Sequence, residues 1–245
     1  KDRLLSGKMT FGFQIRTFRE LEMARAIAMT GFHFAFIDVA HTSLDVADAS
    51  RLAIALADAG VTPLARILDR DYQTAGKLIE GGVQGIIAPR IDTAEQAREA
   101  VAQCKYRPIG SRWRGDESLH FGWAAPTSLQ DMNAALNDIV MIVVMIESEE
   151  ALSNIEAIAA TEGVDVISVG TTDLAGALGV QGNFSHPKVI DAWQRIAAAA
   201  KKHGKGLRLG AKKHEDIIRT YELGSRMVIT GNDMATLVNG MRADF

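Results

Sequence analysis

Short apolar runs and longer amphipathic stretches alternate along the whole chain. The runs Thr10–Ile15, Phe34–Val39, Thr62–Ile67, Gly85–Pro89, Val140–Ile146, Val166–Val169, Gly206–Leu209 and Arg226–Ile229 predict strands. Several are apolar almost throughout, as parallel strands covered on both faces require. Between them, Arg19–Thr30, Val46–Ala59, Tyr72–Glu80, Thr93–Gln103, Glu149–Ala160, Pro187–His203 and Glu215–Leu223 repeat apolar residues at helical spacing. Gly31, Gly60, Gly163, Gly204 and Gly224 stand where a helix should stop before the next strand. Asp92-Thr93-Ala94-Glu95 and Ser148-Glu149-Glu150 read as helix N-termini, with oxygen-bearing caps and acidic first turns. Eight strands with intervening helices predict a single domain over residues 1–245, an α/β (β/α)8 TIM barrel with its active site at the C-terminal ends of the strands. An open doubly wound sheet is the structural alternative. One stretch, Tyr106–Asp138, breaks the pattern with Pro108, Pro126 and several aromatic residues, and reads as a long irregular insert after the fourth strand. Such inserts usually serve function or an oligomer contact.

Composition narrows the function classes. The 245 residues suit one barrel, and 47% hydrophobic with 23% charged residues is ordinary for a soluble protein. A formal net charge of −3 argues against nucleic acid as a partner. The longest apolar run, Ile139–Ile146, is less than half of the roughly 18 residues that a membrane span needs. The one cysteine, Cys104, has no internal disulfide partner, which fits a reducing cytoplasm, and Lys1 to Lys8 carries no signal-peptide pattern. The histidines are scattered, and no glycine-rich nucleotide loop is present.

Barrel chemistry sits at strand C-termini, so those positions supply the candidates. They are Gln14 and Arg16, Asp38 and His41, Arg66, Arg90, Glu147, Asp173, then Gly210 with Lys212 and Lys213, and finally Asn232 and Asp233. Glu147 ends a run that should be buried on both faces, so its charge needs a cation or a strong donor. A first-turn acid for the helix near Glu149 would explain it as well. Asp173 has a similar alternative, capping Leu174–Leu178. Together, two carboxylates from adjacent strands suit a hard divalent cation such as Mg2+. Arg66 suits a developing oxyanion or a substrate carboxylate, unless it is spent on an ion pair with Asp38 or Glu80. His41 is a candidate proton carrier.

These segments together resemble the HpcH/HpaI aldolase family of class II pyruvate aldolases. Phe36-Ile37-Asp38-Val39-Ala40-His41, Pro63-Leu64-Ala65-Arg66 and Leu78 to Pro89 carry the likeness, as do Ile146-Glu147-Ser148-Glu149-Glu150 and Gly170-Thr171-Thr172-Asp173-Leu174. The resemblance implies a carbon–carbon lyase of the aldehyde-lyase class. Such an enzyme converts 4-hydroxy-2-oxo acids to pyruvate and an aldehyde through an enolate held by a divalent metal, Mg2+ first and Mn2+ or Co2+ as alternatives. Glu147 and Asp173 match its metal ligands, Arg66 the arginine at the enolate oxygen, and His41 the histidine that moves the aldol proton. Glu80 matches the acid paired with that histidine, and the backbone of Gly170, Thr171, Thr172 and Asp173 matches the pyruvate carboxylate cradle. The family also implies a homo-oligomer, commonly a hexamer built as a trimer of dimers, often with an exchanged C-terminal helix.

This chain departs from the pattern at several places: Ala40 where Glu is usual, Met145 where Gln is common, and Thr171-Thr172 in place of Pro-Ala. Gly210 stands for a bulkier aliphatic residue of the aldehyde pocket, and Ser111 to Gly115 is more cationic than usual. The departures leave oxaloacetate decarboxylation, a citrate-lyase-β-like action on CoA esters, and a non-catalytic metal-binding barrel as alternatives.

Overall fold

A computed structural model describes residues 1–113, 118–123, 128–210 and 214–244. Lys212, Lys213, Arg114 and Gly115 lie outside the described residues. The parallel strands are β1 (Thr10–Ile15), β2 (Phe34–Asp38), β3 (Thr62–Arg66), β4 (Gly85–Ala88), β5 (Met141–Ile146), β6 (Val166–Val169), β7 (Gly206–Arg208) and β8 (Met227–Asn232). They form one sheet in the order β7-β6-β5-β4-β3-β2-β1-β8. Among the described residues, a single backbone bond closes the curl at the β7–β8 seam, Arg226 N–H to Leu207 carbonyl at 3.2 Å. Ser225 reinforces it, its Oγ accepting from Leu209 N–H and reaching the Leu207 carbonyl at 3.2 Å each. The result is the (β/α)8 barrel that the apolar periodicity predicts.

Strand alternation separates two cores. Ile15, Ile37, Ala65, Ile86, Val144, Ile167 and Leu207 face the helices, in the larger cluster. Phe34, Phe36, Leu64, Ile87, Val143, Met145, Val166 and Met227 fill the barrel interior, with Leu4 among them. Both faces being apolar explains why the strands read as continuous hydrophobic runs. Leu4 belongs to α1 (Asp2–Leu5), a short helix that the periodicity did not announce.

The helices between strands include α2 (Glu22–Met29), α3 (Val46–Asp58), α4 (Tyr72–Glu80), α5 (Ala94–Cys104), α7 (Glu149–Ser153), α8 (Ile155–Ala159), α9 (Thr171–Ala177), α10 (Pro187–Lys202) and α11 (His214–Glu222). Asp45 and Thr93 close capping boxes at the starts of α3 and α5, which sharpens where each begins. The insert is less irregular than expected: Leu129–Ile139 forms helix α6, buries Met132 and Leu136, and leads into β5. Lys105 anchors it, its buried ammonium donating to the carbonyls of Asn137 and Val140. The chain ends in α12 (Asp233–Ala243). No helix among the described residues is long and apolar enough to cross a membrane.

Candidate active site

A cavity of about 610 Å3 opens at the C-terminal ends of the strands, lined by Gln14, Arg66, Glu147, Asp173, Thr171 and Arg208 among others. A larger hollow of about 900 Å3 lies on the flank of α4 and is lined by Tyr72, Lys77, Glu80 and Trp113. The smaller cavity is the candidate site, because it opens at the strand ends, where barrel chemistry sits, whereas the hollow lies on the flank of α4.

Glu147 follows the fully buried β5. Its Oε2 accepts from Arg90 N–H at 2.8 Å. Arg90 achieves this in the left-handed region, φ 55°, an uncommon conformation for a residue with a side chain. A Cβ on Gly170 would overlap the Glu147 carboxylate, so the glycine makes room for it. Ser148, not Glu147, caps α7, accepting from Ala151 N–H at 3.0 Å. The helix-terminus explanation of Glu147 therefore falls away. No cationic side chain pairs with Glu147 among the described residues. Burial, then the nearby charge of Asp173, pushes its pKa up, against the Arg90 N–H and the charges of Arg66 and His41.

Asp173 sits exposed in the first turn of α9, whose N-cap is Gly170, and makes no capping hydrogen bond. Both capping explanations thus fail, and the two carboxylates face one cavity. The N–H groups that open a helix have no partner within it, so those of Thr171, Thr172 and Asp173 are free of intrahelical bonds.

Arg66 does form the ion pair with Asp38 that its sequence position allowed. The pairing is bidentate, Nε to Oδ1 at 3.0 Å and Nη2 to Oδ2 at 2.6 Å. Asp38 is 0% exposed and also accepts from Gln14 Nε2 at 3.1 Å and His41 N–H at 3.3 Å. A planar fork clamped on both nitrogens cannot swing, so Asp38 orients Arg66 in the cavity wall rather than removing it. His41 lies exposed on the rim of the same face, close enough for its charge to act on Glu147.

Glu80 is not brought to His41 within this chain. It ends α4, and a helix that follows β3 and precedes β4 ends at the barrel face opposite the cavity. There it ion-pairs with Arg112 and accepts from Tyr106 Oη at 3.4 Å. Asp233, a candidate by position, is consumed structurally: its Oδ2 accepts from the N–H groups of Arg16, Thr17 and Phe18 at 2.9, 2.7 and 3.0 Å. Asn232 caps α12 through Ala235 N–H at 2.9 Å.

The residue that strand-end reasoning missed is Arg208. It is the last residue of β7, two before Gly210, and lines the cavity. The signal was present: a lone charge in Gly206-Leu207-Arg208-Leu209, the same anomaly that marked Arg66 in its strand.

Comparisons with known proteins place the chain in a family. The model of the HpcH/HpaI aldolase/citrate lyase family matches residues 18–240. The chain is 38% identical over 208 residues to the 5-keto-4-deoxy-D-glucarate aldolase of Klebsiella pneumoniae, covering 85% of this chain and 80% of that one. It is 36% identical over 230 residues to a 4-hydroxy-4-methyl-2-oxoglutarate aldolase of Chaetomium globosum, covering 89% and 83%. Among solved structures, the HpcH/HpaI aldolase of Desulfitobacterium hafniense superposes with a TM-score of 0.93 at 27% identity, covering 99% of this chain and 93% of that chain. The chain therefore belongs to the HpcH/HpaI aldolase/citrate lyase family and is an enzyme of the aldolase class, a carbon–carbon lyase.

Proposed function

We propose that this enzyme cleaves, and in reverse forms, the C3–C4 bond of 4-hydroxy-2-oxo acids, giving pyruvate and an aldehyde. The observation that carries the reading is Glu147, a desolvated carboxylate with no cationic partner among the described residues, sharing one cavity with Asp173 and Arg66. An acid pair left uncompensated in this way fits a divalent cation, which takes oxygen ligands and leaves positions for substrate. Glu147 and Asp173 would hold it, with Mg2+ the first choice and Mn2+ or Co2+ suited to the same oxygens. Bound there, the cation would polarise the 2-oxo group as a Lewis acid.

The chain's own groups account for the rest. Arg66, fixed by Asp38, offers a positive charge to the oxygen at C2 as it becomes an enolate oxygen. One such preorganised donor is typically worth ~3–4 kcal/mol of the barrier. The N–H groups of Thr171, Thr172 and Asp173 receive the carboxylate of the 2-oxo acid, with Gly170 leaving space beside Glu147. His41, at the rim, takes the proton of the C4 hydroxyl. The electrons of the C3–C4 bond then pass to C3, the aldehyde leaves, and C3 gains a proton to become the pyruvate methyl. Both curated relatives are named as aldolases of oxo acids, which supports the same class here. Glu80 has no part in this scheme within one chain; it would reach a histidine only across an interface between copies.

Exchange of deuterium into the pyruvate methyl tests the reading without an aldehyde. Exchange should require added Mg2+, Mn2+ or Co2+ and disappear in Glu147→Gln; a variant that exchanges like the wild type would sink the assignment. Faster pyruvate release from oxaloacetate than from any 4-hydroxy-2-oxo acid would make the enzyme a decarboxylase instead.

The partners we assign are a small 2-oxo acid and an aldehyde, not nucleic acid or membrane. A homo-oligomer, with a hexameric trimer of dimers as the expectation, is supported by α12, where Met234, Leu237, Val238 and Met241 are exposed along one helix. Light scattering on the eluting protein would replace this with a monomer if a mass near 26.5 kDa were found. The cytoplasm is the compartment we assign; Cys104 is buried and its thiol pushed up to about 12 by burial, so it behaves as a core residue and not as a redox group.

A further inference from the structure

The carboxylate of Glu147 is held on one side only. Its Oε2 accepts from Arg90 N–H at 2.8 Å, and its Oε1 has no hydrogen-bond partner among the described residues. The oxygen left over is the one beside Gly170, which lines the cavity. An N–H that fixes one oxygen leaves the other to be presented singly to a cation. The donor itself is unusual. Arg90 makes this bond at φ 55°, in the left-handed region, while its own side chain is exposed. The position serves Glu147 through its backbone, and its neighbours have to hold that backbone in place.

The loop after β4 is tied down for this. Ile91, 0% exposed, donates its N–H to the Met145 carbonyl at 3.2 Å. Asp92 is bonded through three groups. Its N–H donates to Gln96 Oε1 at 2.6 Å, its carbonyl accepts from Asn154 Nδ2 at 2.8 Å, and its Oδ1 accepts from the Ser148 hydroxyl. Helix α5 does not need this carboxylate, because Thr93 supplies its cap. Ser148 directly follows Glu147, and its hydroxyl both caps α7 through Ala151 N–H and donates to Asp92. Two bonds therefore join the ends of β4 and β5 side by side, Arg90 N–H to Glu147 and Ser148 to Asp92. One bond alone would let the loop turn; the pair fixes it.

We infer that Asp92 is a positioning residue for Glu147. By holding the Ser148 hydroxyl it keeps the loop after β4 in the left-handed turn from which Arg90 N–H fixes one oxygen of Glu147 and leaves the other for the cation. The inference rests on the metal reading above and adds to it a residue that does not line the cavity.

The experiment titrates the metal-free enzyme with Mn2+ alone and reads free Mn2+ by electron paramagnetic resonance. Loss of a group that orients a metal ligand typically weakens metal binding by about 10- to 100-fold, and Asp92→Ala should raise the Kd for Mn2+ by that factor. Asp92→Asn keeps an oxygen for the Ser148 hydroxyl and should restore most of the affinity. Arg90→Gly keeps the N–H and enters the left-handed turn freely, so it should bind Mn2+ like the wild type. Arg90→Val resists that turn and should weaken binding as Asp92→Ala does. Wild-type affinity in Asp92→Ala overturns the inference. So does an equal loss in Asp92→Ala and Asp92→Asn, which would trace the effect to charge and not to the hydrogen bond. Should Asp92→Ala fail to fold, the Arg90 pair still decides, since equal affinities in Arg90→Gly and Arg90→Val overturn the inference as well. A wild-type enzyme that binds no Mn2+ would strike the metal reading itself, so the two failures are distinguishable.

Discussion

Around the mouth of the barrel, the arc from β1 to β3 and the arc from β6 to β7 treat their polar groups differently. On the first, Gln14, Asp38 and Arg66 form a closed network in which both oxygens of a fully buried carboxylate are bonded. On the second, Arg208 Nε and Thr171 Oγ1 are buried with no partner among the described residues. Buried polar groups are nearly always satisfied, and the exceptions call for an explanation. The contrast separates two tasks: a network complete without substrate is preorganised for the step common to every substrate, and one left incomplete is completed by the ligand. Glu147 lies between the arcs, with a single backbone donor.

The largest effect that probes the contrast is on the closed arc. Arg66→Met leaves Asp38, 0% exposed, without its bidentate partner. Breaking a buried pair from one side typically costs about 3–5 kcal/mol. Urea denaturation should show a loss of that size, and kcat should fall by about 10^2- to 10^3-fold as the fixed donor disappears. Asp38→Asn keeps Arg66 but loosens its fork, so kcat should fall less than in Arg66→Met. A stable Arg66→Met protein would mean that the arc is not the closed unit described.

A somewhat smaller loss is expected where the two arcs meet, at β8 beside β1. Asp233 is 2% exposed. Burial alone would raise its pKa, yet N–H groups of Phe18, Arg16, Thr17 and Met234 more than offset this and hold it below its ordinary value of 3.8. A folded pKa below the unfolded one adds stability that is complete above the unfolded value and disappears as pH falls through the folded one. Asp233→Asn should therefore cost about 1.5–3 kcal/mol at pH 7, the range for hydrogen bonds to a charged group. At pH 3 the gap between the two proteins should narrow. An equal gap at both pH values would show that the charge is not what ties the β1 loop to α12.

The same contrast explains which features were legible in the sequence. Strands were legible because both faces of each are buried, which writes continuous apolar runs, and β1 and β6 match their expected bounds. Helix α6 was not, because two prolines and several aromatics upstream hid a short amphipathic pattern that buries few residues, Met132 and Leu136 among them. Glu147, Asp173 and Arg66 stood out as charges at the ends of apolar runs, and the structure brings them to one cavity. Arg208 escaped because the apolar run was read on to Leu209 and the candidates were taken after it, at Gly210, Lys212 and Lys213, whereas β7 ends at the arginine itself. Glu80 does not meet His41 within one chain for a different reason. Adjacency to a motif does not say which end of a helix faces the site, and α4 carries it to the opposite face.

On the open arc the effects are smaller and should couple. Gly210→Ala places a methyl group where the Thr171 hydroxyl sits, with the Thr171 Cβ 3.0 Å from it. Overpacking of this kind typically costs about 1–3 kcal/mol. Thr171→Ala removes the colliding atom, so the double variant should recover most of the loss. A double-mutant cycle on stability should give a coupling of about 0.5–3 kcal/mol, the range for residues in contact. Additive costs would mean that Thr171 turns aside freely and that the two positions do not form one wall.

The smallest effect is the most discriminating, because it sets one arginine against the other. Arg208→Met removes a desolvated charge that has no ion-pair partner among the described residues, together with hydrogen bonds to Ser168 and Val169. The lost bonds destabilise, and the relief of an uncompensated charge opposes them, so the net change should stay within about 1 kcal/mol. The same substitution at Arg66 should cost several times more, since there the charge is compensated and its partner is left behind. Parallel urea melts of the two methionine variants read this difference directly. Equal losses would mean that Arg208 is a structural member of the barrel. A large loss at Arg66 alone leaves Arg208 as a side chain held in the cavity wall against its own stability, which is the expected signature of a group kept for a ligand.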